Sequence, residues 1–200
     1  MPSFATEVKN ELVRASTRKT CCQNAELAAL LRMGASMTIG PAMNLGLNFV
    51  TENAAVARRV LQLLKANGQV KPEVTVSRAK RLKKNNSYFL RVAPSPQVRP
   101  LMESLGMLGD NEGSVGHDKG LLRRQCCRKA YLRGAFLGGG TVNRPEAKAH
   151  LEFVANSYPF ANTLMQVLKK MDFPVGITDR KNNYQVYMKD GEEIMDLLAM

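Results

Sequence analysis

The stretch Cys126-Cys127-Arg128-Lys129-Ala130-Tyr131-Leu132-Arg133-Gly134-Ala135-Phe136-Leu137-Gly138-Gly139-Gly140-Thr141 has an earlier echo in Cys21-Cys22-Gln23-Asn24-Ala25-Glu26-Leu27-Ala28-Ala29-Leu30-Leu31-Arg32-Met33-Gly34-Ala35-Ser36. Laid side by side without gaps, Cys21/Cys126, Cys22/Cys127, Ala25/Ala130, Leu27/Leu132 and Gly34/Gly139 are identical, and Ser36/Thr141 is a near match. Chance would supply about one such identity, so the chain reads as a tandem duplication.

Working outward, each copy opens the same order of elements. The first central helix, about 22–34, is apolar nearly all round and is expected to be buried. Met37 to Thr51 reads as a hairpin turning at Gly40-Pro41-Ala42, with Leu45, Leu47 and Phe49 alternating with Asn44, Gly46 and Asn48. Thr51-Glu52-Asn53 caps a helix over about 53–67, whose buried stripe is Val56, Val60, Leu63 and Leu64 and whose stop is Asn67-Gly68. Glu73–Arg78 and Ser87–Val92 make a second hairpin around a basic turn, Lys80-Arg81-Leu82-Lys83-Lys84-Asn85-Asn86, and a short helix over about 98–106 follows. The second copy begins with a basic helix entry at Arg123-Arg124, in a helix over about 122–138. A hairpin from Thr141 to Ala155, a helix from Tyr158 to Met171, strands Val175–Asp179 and Tyr184–Met188, and a terminal helix Gly191–Met200 complete it. Ahead of both copies, Phe4, Val8, Leu12 and Ala15 give residues 4–15 one apolar face, so this helix docks on the rest. The expected division is an N-terminal helix at 1–20, repeats at 21–106 and 121–200, and a polar Gly-rich linker at 107–120.

The whole chain has 200 residues, 44% of them apolar, a formal charge of +12 and a pI near 9.8. That size buries a real core, and that charge points to a polyanion partner, because clustered Lys and Arg release counterions from phosphates. No apolar run is long enough to span a membrane, and the N-terminus lacks a secretory signal, so a cytoplasmic protein is expected. The four cysteines form two adjacent pairs. Neighbouring cysteines rarely bridge, and thiolate metal sites usually space their ligands by two to four residues, so reduced, partly buried structural thiols, with no metal and no cofactor, are expected ahead of the alternative, a four-cysteine zinc site.

Two units of helix, two strands, helix, two strands, helix, each opened by this stretch, resemble the LAGLIDADG homing endonuclease fold. The resemblance implies an α+β architecture in which two αββαββα repeats pack their first helices about a pseudo-twofold axis and their sheets form a saddle over DNA. On the nine-residue motif, Leu132 to Gly140 supplies the opening Leu, a third-position Gly at Gly134 and a final Gly. Leu27 to Ala35 is the first copy. The helix seam would be built from Leu27, Ala28, Leu30, Leu31, Leu132, Gly134, Ala135 and Gly138, whose small members let two backbones approach closely. At the eighth position those enzymes carry an acid that holds the metal for phosphodiester cleavage. Here that position is Gly34 in one copy and Gly139 in the other, so an inactive site with no catalytic residues is implied.

Ser3-Phe4-Ala5-Thr6-Glu7-Val8-Lys9-Asn10-Glu11-Leu12, together with Cys21-Cys22, Ala25 to Gly34, Thr51 to Arg59 and Cys126 to Gly140, is similar to the bacterial WhiA family over nearly all 200 residues. That resemblance implies a DNA-binding transcriptional regulator of sporulation and cell division. Its C-terminal helix-turn-helix domain, the expected main contact to DNA, is absent from this sequence, and a longer parent chain and a monomer are expected. By strand parity His150, Glu152 and Val154, and Asn48 and Val50, turn away from the helices, so the sheet faces are not cationic. The candidate phosphate contacts are Lys80, Arg81, Lys83 and Lys84, then Arg123, Arg124, Arg128 and Lys129, and finally Arg180 and Lys181. A second reading is a protein-interaction scaffold with no DNA binding of its own, and a third is a metal-dependent homing endonuclease.

Overall fold

The computed structural model describes residues 3–15, 18–67, 69–78, 86–108, 120–180 and 182–200. The basic turn Lys80, Arg81, Lys83 and Lys84, the residue Lys181 and most of the expected linker lie outside the described residues.

The first helix, α1 (Phe4–Arg14), starts where the Ser3 hydroxyl accepts the Thr6 N–H at 3.2 Å. The first repeat then runs α2 (Thr20–Gly34), β1 (Ala35–Ile39), β2 (Leu45–Thr51), α3 (Ala54–Asn67), β3 (Pro72–Ser77), β4 (Ser87–Val92) and α4 (Val98–Ser104). The second repeats that order with α5 (Gln125–Gly139), β5 (Gly140–Val142), β6 (Leu151–Ala155), α6 (Tyr158–Lys169), β7 (Gly176–Arg180), β8 (Asn183–Met188) and α7 (Gly191–Ala199). Two four-stranded antiparallel sheets result, in the orders β1-β2-β4-β3 and β5-β6-β8-β7. The duplication is therefore visible in the topology itself.

Local chemistry sets most boundaries. The Asn53 side-chain oxygen accepts from the N–H groups of Ala55 and Val56 at 2.8 and 3.1 Å, and its amide donates to Asn10 at 3.2 Å, so one residue caps α3 and ties it to α1. Asp190 caps α7 in the same way, accepting from Glu192 and Glu193. Helix limits differ from the sequence reading by one to three residues, most at three places. Residues 120–122 form a turn instead of the first turn of α5, because Arg128 donates to the carbonyls of Leu122 and Arg123, each at 3.0 Å, and holds the approach open. Helix α6 stops at Lys169, ahead of the left-handed Asp172 (φ 65°), and Met171 packs from the turn beyond it. Helix α4 stops at Ser104, where Leu105 and Gly106 form a turn with Gly106 at φ 66°.

Helices α2 and α5 pack along their length at the centre of one continuous apolar cluster drawn from both repeats. Leu27, Ala28, Leu30, Leu31, Leu132, Gly134 and Ala135 are buried and Gly138 half-buried. The contact is backbone to backbone. A Cβ on Gly134 would overlap the Glu26 carbonyl oxygen, and one on Gly138 would stand 2.6 Å from the Met33 Cβ. Facing residues fill the cluster from each sheet: Phe49, Leu90 and Val92 on one side, Phe153, Val186 and Met188 on the other, with Phe136 edge-on to Phe153.

Helix α1 lies across α3 and α5 and carries Lys9, whose ammonium sits 5.9 Å from the centre of the Phe136 ring. Burial pushes the Lys9 pKa down to about 8.

Two outcomes follow from this packing. Gly134→Ala lowers the midpoint of thermal unfolding followed by circular dichroism, at a cost of about 1–3 kcal/mol for forcing the two backbones apart. Gly120→Ala, with open space around it, leaves the midpoint unchanged. For Lys9, the folded pKa lies below the unfolded one, so its charge opposes folding fully below about pH 8 and ceases to do so as pH rises toward 10.5. Calorimetry of Lys9→Met therefore shows a gain in melting temperature at pH 7 that shrinks by pH 10.5; a gain independent of pH contradicts the burial argument.

Candidate functional site

The motif ends are the first place to look for chemistry. Helix α2 runs directly into β1 after Gly34, and α5 into β5 after Gly139, so both residues stand where a seam helix meets its sheet. A Cβ on Gly34 would meet the Phe49 ring at 2.8 Å, and one on Gly139 would meet the Met33 methyl at 2.6 Å. Carboxylates are absent from both ends. Among the described residues the only cluster of three or more His, Cys, Asp or Glu side chains lies elsewhere, at the cysteines.

On the sheet faces turned away from the helices, the register places Ser36, Asn48, Arg91 and Glu73 in one cross-strand row, and Val50, Phe89 and Thr75 in the next. The second sheet presents Thr141, Glu152 and Tyr187 in one row and Val154, Gln185 and Thr178 in another. One arginine against one glutamate leaves the first face uncharged overall. On the second, His150 Nε2 lies 3.0 Å from Glu152 Oε2, stacks on Tyr187, and Lys189 sits 4.9 Å from the centre of that ring. The parity reading of His150, Glu152, Val154, Asn48 and Val50 agrees with this arrangement.

Positive charge is distributed along the rims and ends. Arg180 is exposed at the tip of the β7–β8 hairpin, where Asn182 takes a left-handed turn (φ 67°). Arg123 and Arg124 are exposed at the start of α5, at the opposite end of that helix from Gly139, about 22 Å from it at ~1.5 Å per residue. Arg128 is half-buried and holds the turn before α5, and Arg124 donates to the Cys21 sulfur at 3.8 Å. Half-buried Lys129 lies one residue further along α5.

A charged centre inside the seam escaped the sequence reading. Glu26, fully buried on α2, accepts two bonds from Arg59 of α3 (Nε to Oε1 2.6 Å, Nη2 to Oε2 2.9 Å) and two from Arg133 of α5 at 2.9 and 3.3 Å. Arg133 also donates to the Ala15 carbonyl at the end of α1, at 3.0 Å. One carboxylate thus joins four helices from both repeats. The available signal was Glu26 itself, since a carboxylate in an otherwise apolar buried helix requires a partner. Which arginines answer it depends on long-range packing.

The cysteines come together as well. Cys21, Cys22, Cys126 and Cys127 all have their sulfurs within 4.8 Å of one another. A hydrogen bond with Cys127, with help from Arg124, holds the Cys21 thiol below the usual value; burial pushes Cys22 up to about 11 and Cys127 higher still. The spacing argument against a shared site weighed each pair alone. Packing α2 on α5 makes the two pairs one group.

Fold and motif ends together define a LAGLIDADG-like architecture whose metal-acid positions are glycines. Residues 20–108 match the WhiA N-terminal LAGLIDADG-like domain and residues 128–200 the WhiA LAGLIDADG-like domain. The "Probable cell division protein WhiA" of Desulforamulus reducens is 44% identical over 203 residues, covering 99% of this chain and 62% of the relative. The protein of the same name from Heliobacterium modesticaldum is 40% identical over 200 residues, covering 99% and 62%. The chain belongs to the WhiA family and spans about 62% of the length of these curated relatives. Full-length DUF199/WhiA from Thermatoga maritima superposes with a TM-score of 0.73 at 21% identity, covering 99% of this chain and 61% of that one. The homing endonuclease I-DmoI, solved with DNA and Mn, shares the fold at a TM-score of 0.56 and 11% identity, covering 88% and 94%. Among the described residues no helix is long and apolar enough to cross a membrane.

Glu26→Gln leaves the buried Arg59 and half-buried Arg133 guanidinium groups facing a neutral amide and costs about 3–5 kcal/mol in denaturant unfolding. Replacing all three groups (Glu26→Met, Arg59→Met, Arg133→Met) costs less than that single change. The opposite ranking contradicts the assignment of Glu26 as a buried charge centre.

Proposed function

We propose that this chain is the non-catalytic, duplicated domain of a DNA-binding transcriptional regulator of sporulation and cell division, gripping phosphates from its hairpin rims without reading sequence. The observation that carries this is Gly34 and Gly139 at the motif ends. Phosphodiester cleavage on this fold needs hard oxygen ligands for a divalent cation, and neither residue has a side chain to supply one. The WhiA relatives are named for cell division, and I-DmoI on the same fold is named in complex with DNA. Sequence specificity is assigned to a helix-turn-helix domain of the parent protein, and the division into repeats at 21–106 and 121–200 with a linker between belongs to the same reading.

Rim contacts suit the charge distribution. Arg180 is exposed at a hairpin tip, and Lys181, Lys80, Arg81, Lys83 and Lys84 are its sequence neighbours or counterparts in the other repeat. Such contacts position a protein on a duplex and carry no base information. A second reading, a scaffold for a protein partner, is favoured by one observation. Val50 and Phe89 pair across β2 and β4 on the open face of the first sheet, 48% and 41% exposed.

Fluorescence anisotropy on a labelled duplex separates the two. Phosphate gripping gives affinity that falls with salt at a log–log slope of about −3 to −4 for four contacts, removed by Lys83→Glu/Lys84→Glu/Arg180→Glu. Absence of binding at low salt rejects the DNA reading and leaves the scaffold. Supercoiled plasmid with Mg²⁺ or Mn²⁺ stays uncut; divalent-dependent nicking rejects the non-catalytic assignment.

A further inference from the structure

We infer that Cys21, Cys22, Cys126 and Cys127 form a tetrathiolate zinc site that clamps the N-terminal ends of the two seam helices. All six sulfur separations are 4.8 Å or less, and Cys21 and Cys22 stand 4.0 Å apart. A zinc ion bound by four sulfurs at about 2.3 Å places them about 3.8 Å apart at the corners of a tetrahedron. The four side chains therefore need to draw in by under about 1 Å to meet one ion. Iron–sulfur clusters put several metals between their cysteines and need a wider set. All four cysteines are free thiols, so none is committed to a disulfide.

The surroundings suit an anionic centre. Four thiolates and Zn²⁺ carry a net charge of −2, and binding releases the protons the thiols held. Each pair occupies the second and third positions of its helix, α2 or α5. Neither helix has a side-chain N-cap or an acidic residue in its first turn, so the positive ends of both helix dipoles stand beside the cysteine pairs without a competing carboxylate. Arg124 adds a cation 3.8 Å from the Cys21 sulfur. Cys22 and Cys127 are buried and Cys21 and Cys126 half-buried, which closes the site on one side and leaves a route in on the other. Four protein ligands with no open position make it a structural site, and it fastens one repeat to the other at the end of the seam furthest from Gly34 and Gly139.

The 200-residue chain, purified under reducing conditions and freed of loosely held metal, is expected to carry one zinc ion by plasma mass spectrometry. Co²⁺ in its place is expected to give the thiolate charge-transfer and visible bands of a tetrahedral tetrathiolate centre. Cys21→Ser/Cys126→Ser removes the half-buried ligands and spares the buried ones, so the fold, checked by circular dichroism, is retained while bound metal is lost. If that variant does not fold, Co²⁺ titration of the unsubstituted chain decides the matter. Folded protein that binds neither Zn²⁺ nor Co²⁺, a folded variant that keeps its metal, or thiol titration showing two disulfides in the purified chain each overturns the site.

Discussion

Two helices cross here with almost nothing between their backbones, and the rest of the molecule is arranged around that contact. Gly134 faces the Glu26 carbonyl and Gly138 faces Met33, so α5 settles onto α2 at a distance no larger residue permits. That closeness makes the duplication a single core, because each sheet covers the seam from its own side and the apolar cluster runs through both repeats. It also buries Glu26 completely, which obliges the chain to provide Arg59 from one repeat and Arg133 from the other. A buried carboxylate with two guanidinium partners is weak evidence of net stabilisation but a strong specifier of alignment, since α2 and α5 slipped by one turn would leave charges unpaired.

The same seam sets what stands at the two motif ends. In a metal-dependent enzyme of this architecture the helix ends would need carboxylates beside the groove, and here those ends are glycines set against Phe49 and Met33. At the opposite end of the seam the four cysteine sulfurs gather within 4.8 Å of one another. The cysteine cluster and the two motif-end glycines thus occupy opposite ends of the same helix pair.

Much of this was legible in the sequence, for definite reasons. Periodicity located the helices because Val56, Val60, Leu63 and Leu64 lie on one face, and alternation located the strands because Leu90 and Val92 bury while Phe89 and Arg91 do not. The resemblance to the LAGLIDADG fold implied the seam, and the small residues at 134 and 138 suited its close contact. Contacts between distant segments were not legible. Nothing local to Glu26 names Arg59 or Arg133, and the duplication put the two cysteine pairs at equivalent helix positions without fixing how close their sulfurs come. The local bonds of the basic residues were not legible either: Arg124 donates to the Cys21 sulfur and Arg128 to the carbonyls of the turn before α5.

The central claim is that the α2–α5 contact makes two repeats into one cooperative unit. Native-state hydrogen exchange, resolved to peptides by mass spectrometry at increasing denaturant, tests it directly. The account predicts that amides in the middle of α2 and of α5 are the most protected in the chain and exchange through a common opening of equal free energy. Exchange of one helix through an opening several kcal/mol below the other, with its partner repeat still protected, would contradict it.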